Sequence, residues 1–273
     1  PVGAAYTGPL VDTHLHIQND IHGTFPDVAD HMTRNNIIQA FAFLTVDNQF
    51  LNYYIQTYSD FQAEYPGKFV LFFDPLFADN ESQTLSDIEP YLPFTQELFD
   101  GMGELEFYEE PWLGTEPDDP NMMDIYEALS ARGLPIMIHP MSHQKEAVAN
   151  ALRQNPNQIF LFHGWNSESF MPDLMDKYDN FYYTIDPSIL LRTPPLPERT
   201  LAFNVENATD FITQFDQDYQ TMLDLMVDLW SEKVARHPDK YLWGTDAVRQ
   251  FHFEPGVYDR LIEFSRAFIG RLP

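Results

Sequence analysis

The sequence contains no cysteine, so it has neither a disulfide nor a thiolate, and any metal ion must be held by His, Asp and Glu. That donor set favours hydrolytic and Lewis-acid metals over iron–sulfur or blue-copper chemistry. Basic residues are scarce: 15 Lys and Arg stand against 42 Asp and Glu, for a formal charge of −27. Such a field repels nucleic acid and anionic lipid, which leaves small molecules as the expected partners, with a homo-oligomer open. It attracts divalent cations in general without itself making a site. No apolar run approaches the ~20 residues of a membrane span, so a soluble protein is expected. An initiator Met is also missing, since the chain opens at Pro1. A removed tag, leader or export signal is the expectation, and composition leaves cytoplasm and periplasm equally open.

What is present reads as one globular domain over residues 1–273, about the size of an α/β barrel. Strand-like apolar runs fall at Leu10-Val11, 41–46, 69–73, 101–107, 134–138, 159–162, 181–186 and 241–243. Helical patterns alternate with them at 27–36, 50–65, 85–98, 121–132, 146–154, 170–178, 210–236 and 257–269, the fourth capped by Asp118 or Asp119. Eight strands alternating with eight helices predict parallel pairing through helical crossovers, and at this count a closed (β/α)8 TIM barrel. The proline-bearing stretch from Pro187 to Glu206 is expected to be a long irregular loop over the site.

The chemistry concentrates at strand ends. Asp12-Thr13-His14-Leu15-His16 closes the first run, and residues two apart on a strand share a face, so His14 and His16 project together as a chelating pair. Asp12 has the same parity and is expected to sit beneath them, fixing an imidazole tautomer. His139, His163 and Asp246 each end a later run, on the face where barrel enzymes keep their sites. Glu104 and Glu106 share a face on the fourth strand, where a carboxylate is costly unless a cation or donor meets it.

This pattern resembles the metal-ligand set of the amidohydrolase superfamily. Leu134 to Pro140, Phe160 to Gly164 and Trp243 to Ala247 resemble its amidohydrolase-related branch, which holds hydrolases and non-oxidative decarboxylases. The resemblance implies a divalent metal, zinc foremost with Mn, Fe, Co or Ni as alternatives, one or two per chain. Its ligands would be His14, His16, Glu104, His139, His163 and Asp246. Many binuclear members bridge their metals with a carboxylated lysine on strand four. The lysines here, Lys68, Lys145, Lys177, Lys233 and Lys240, avoid strand ends, so Glu104 is expected to substitute. Gly103-Glu104 is similar to the strand-four glutamate of the TatD-like branch, whose members include nucleases, but the acid excess argues against a nucleic-acid substrate. Family chains commonly run past a Gly-x-Leu-Pro segment into another helix, whereas this one stops at Arg271-Leu272-Pro273, so truncation is expected.

The leading expectation is a metal-dependent hydrolase of a small ester, lactone, amide or phosphoester, with Asp246 as both ligand and general base. A mononuclear decarboxylase or hydratase, with His163 freed to move protons, is the alternative; a non-catalytic protein stapled by its metals is a third. Trp112, His143, Trp165, Tyr183, Arg192, Arg249 and His252 follow strands and are candidates to line the pocket, with Arg249 placed to pair a substrate carboxylate. Glu106 is expected to back such an arginine or a ligand histidine. His22, His31 and His237 read as ordinary residues, the last a cation at a helix C-terminus.

Overall fold

A computed structural model describes residues 4–17, 24–76, 84–95, 97–108, 114–164, 167–186, 205 and 207–273. Eight strands follow chain order in one sheet, and the fold is the expected (β/α)8 barrel. The strands are β1 (Leu10–His16), β2 (Ile37–Asp47), β3 (Phe69–Leu76), β4 (Gly101–Glu106), β5 (Ile136–His139), β6 (Phe160–Phe162), β7 (Phe181–Ile185) and β8 (Tyr241–Trp243). The helices between and after them are α1 (Phe25–Arg34), α2 (Leu51–Glu64), α3 (Leu85–Ile88), α4 (Pro120–Ser130), α5 (Lys145–Gln154), α6 (Met171–Met175), α7 (Ala208–Arg236) and α8 (Pro255–Ile269). Two compact units divide the chain: residues 1–40 with 185–273, and residues 41–184.

In the central unit, β3 through β7 pair in parallel, with Phe72 beside Gly101, Ile136 beside Phe160 and Phe160 beside Phe181. Every residue of β5 and β6 is buried, as a parallel sheet covered on both faces requires. Asp119 caps α4 through the Asn121 N–H at 2.9 Å, with Pro120 in the first turn, where a missing N–H costs nothing. The helix expected over 85–98 is shorter. It is one turn, α3, followed by a 3-10 turn at Leu92–Phe94, because Pro90 and Pro93 cannot supply the N–H groups an α-helix needs. The strand expected at 41–46 is longer and starts at Ile37.

In the terminal unit, Asn207 caps α7 by accepting the Asp210 N–H at 2.9 Å. α7 packs on α8 through Phe215 and Tyr219 against Phe264, with ring centroids 5.6 and 5.5 Å apart. Arg260 grips Asp216 with two bonds of 2.7 and 2.8 Å on the exposed side of that seam. Thr24 caps α1 through the Asp27 N–H, so the helix begins at Phe25, two residues before the expected start.

His31 on α1 is buried, stacked on Tyr258 at 4.5 Å. Arg34 can only donate, so His31 Nδ1 accepts from it and Nε2–H donates to the Phe253 carbonyl. The ring is therefore held neutral. Burial lowers its pKa below 6.5, the Phe253 bond opposes this, and the Arg34 charge adds to the lowering. The unfolded chain takes up this proton more readily, so the stability contributed here is complete above pH 6.5 and is lost as pH falls through the depressed folded value. The melting temperature of the native chain is expected to fall more steeply from pH 7 to pH 5 than that of His31→Gln. Parallel slopes would refute the assignment.

Candidate metal centre

β1 delivers the first cluster as its alternation predicts. His14 is fully buried and His16 partly so, with their Nε2 atoms 3.2 Å apart. Asp246 Oδ1 lies 3.6 Å from His14 Nε2 and 3.7 Å from His16 Nε2. Three donors each about 2.0–2.2 Å from one tetrahedral ion would be roughly 3.3–3.6 Å from one another. The observed triangle, with sides of 3.2, 3.6 and 3.7 Å, is close to that size, and its donor types suit a divalent ion.

Main-chain bonds fix the triangle. The Asp246 N–H donates to the His14 carbonyl at 2.8 Å, and the His16 N–H donates to the Ala247 carbonyl at 2.9 Å. Asp246 sits at φ +50°, a left-handed conformation that aspartate tolerates better than most residues. Asp12 corrects an expectation. Its oxygens accept from the main-chain N–H of His14 and of Thr245, from the Thr245 hydroxyl and from Tyr258. None of the four donors is an imidazole, so Asp12 braces the strand ends rather than a tautomer. Burial pushes its carboxyl up to about 6, against the pull of the Thr245 and His14 bonds.

The second cluster belongs to the central unit and draws on β4, β5 and β6. Glu104, His139 and His163 are all buried. Glu104 Oε1 contacts His163 Nε2 directly and lies 3.2 Å from His139 Nδ1. The β4 register shifts between Met102 and Leu105, which aims Glu104. Gly103 and Gly164 are obligatory here. At φ +121° and +97°, added Cβ atoms would strike the Met137 carbonyl and the His139 ring respectively. Glu106 accepts a hydrogen bond from Tyr108, whose ring meets His139 edge-on at 4.5 Å. Burial lifts Asp74 at the end of β3 well above the usual carboxylate range, and the charges of Glu106 and Glu104 add to it.

The remaining candidates divide. Tyr183 is fully buried and donates to the Gly164 carbonyl at 2.6 Å, shaping the turn after β6. His143 is exposed, 3.9 Å from Glu116. Arg249 is half-buried just beyond Asp246. His252 is buried, and its Nδ1 accepts the N–H groups of Val248 and Arg249. Trp112, Trp165, Arg192, His22 and the 187–206 loop, apart from Val205, lie outside the described residues. Asp74 lies near the end of β3 and Asp186 directly follows β7, and the strand-end rule that found the histidines could have found both.

The model of the family described as amidohydrolase matches residues 95–254, more than half of the chain. The chain belongs to the amidohydrolase family. No curated protein matches it. Among solved structures, an amidohydrolase from Burkholderia multivorans with bound zinc is similar at TM-score 0.61 and 10% identity, over 97% of this chain and 93% of that one. A Pseudomonas putida protein assigned as a 2-pyrone-4,6-dicarboxylic acid hydrolase is similar at TM-score 0.60 and 10% identity, over 95% and 90%. Amidohydrolase 2 from Bifidobacterium longum subsp. infantis follows at TM-score 0.55 and 12% identity, over 96% and 94%. At these identities the likeness shows a shared fold. Among the described residues of this family member, no helix is long and apolar enough to cross a membrane.

Proposed function

We propose that the chain is a metal-dependent hydrolase of a small ester, lactone, amide or phosphoester. The observation that carries the reading is the donor triangle of His14, His16 and Asp246, sized for one ion. His14, His16 and Asp246 would hold one divalent ion, and Glu104, His139 and His163 a second. Such an ion lowers the pKa of water and polarises a carbonyl or phosphoryl oxygen. Asp246 accepts the proton of the attacking water and returns it to the leaving group. Arg249 pairs a substrate carboxylate. Zinc is the proposed metal, supported by the zinc-bound structural neighbour.

Elemental analysis of chain purified without chelators tests this. Nearly two equivalents, falling to one in Glu104→Gln, are expected. One equivalent unaffected by the substitution would turn the reading towards a mononuclear lyase. Inactivity towards a broad ester, lactone, amide and phosphoester panel would favour a metal-stapled binding protein.

A further inference from the structure

Among the described residues, a further buried carboxylate lies beside the first cluster of donors. Asp186 directly follows β7 and is fully buried. It offers an oxygen within 4.8 Å of the donor atoms of His14 and Asp246. His14 and Asp246 take part in two groupings of donor atoms, one that includes His16 and a different one that includes Asp186. A second carboxylate in this place is unfavourable on two grounds: burial penalises the charge, and Asp246 repels it. A cation reverses both, and two carboxylates neutralise a divalent charge that one leaves half-balanced.

We propose that Asp186 is a further ligand of the ion held by His14, His16 and Asp246, making a donor set of two imidazoles and two carboxylates. This rests on the metal-dependent reading above. The additional oxygen hardens the site and narrows the margin by which zinc is preferred over Mn. Asp186 would also help to hold the ion while Asp246 carries the proton of the attacking water.

Titration of metal-stripped chain with Co(II), followed by visible absorption and calorimetry, tests the assignment. Asp186→Asn is expected to weaken cobalt binding about 10- to 100-fold, to change the cobalt spectrum and to lower the ratio of Mn(II) to Zn(II) affinity. Asp186→Glu, which keeps a carboxylate, is expected to recover part of each. Unchanged affinity and spectrum in a folded Asp186→Asn protein would overturn the ligand role and leave the metal centre standing. Failure of the unsubstituted chain to bind cobalt, zinc or manganese would overturn both. Should Asp186→Asn not fold, Asp186→Glu decides: a cobalt spectrum and affinity identical to those of the native chain would refute direct ligation.

Discussion

Asp246→Asn is expected to lower kcat by about three orders of magnitude, within the 10²–10⁴ range of a lost general base, while most of the bound metal remains. The amide keeps an oxygen near the His14 and His16 nitrogens, now 3.6 and 3.7 Å from the carboxylate, but it can no longer take a proton. The same substitution keeps the main-chain bond from residue 246 to the His14 carbonyl, so the strand ends stay in place. Measuring kcat beside metal content separates the roles. Full turnover would remove Asp246 from the chemistry. Parallel loss of metal and rate would reduce it to a ligand.

The second large effect is expected from Gly164→Ala. The methyl group would occupy the space of the His139 ring at a position whose φ is +97°, so backbone strain and overpacking act together. Each costs about 1–3 kcal/mol. His139 must move, and with it the contact to Glu104. Loss of one metal equivalent and a fall of several degrees in melting temperature are expected. A variant with native metal content and melting temperature would show that the ring and the turn are not coupled as the structure has them.

Much of this site is legible in the sequence because strand geometry is local. The two-residue period puts His14 beside His16 and singles out Glu104 on β4, and the strand-end rule points to His139, His163 and Asp246. Asp12 obeys the same parity yet serves a different end, because its partners Thr245 and Tyr258 lie 233 and 246 residues further on. No local pattern announces such donors. The place of Tyr183 is hidden for a related reason: its hydroxyl satisfies the carbonyl of a tight turn, a need that exists only once Gly164 has adopted its left-handed conformation. The helical segment at 85–98 is broken by Pro90 and Pro93, and the structure keeps only one α turn and a 3-10 turn of it. His31 was readable as ordinary, but its burial and neutral tautomer depend on Arg34 and the distant Phe253 carbonyl.

The main-chain bonds from Asp246 to His14 and from His16 to Ala247, underpinned by Asp12, bear on how an ion would arrive. The ligands hang from peptide groups already committed to one another, so little chain entropy remains to be lost at the moment of capture. Loading the site is then a matter of the ion shedding water and entering, and stripping it is a matter of competition for the same donors. On the proposed metal-binding reading, the scaffold is expected to empty and fill without refolding in between.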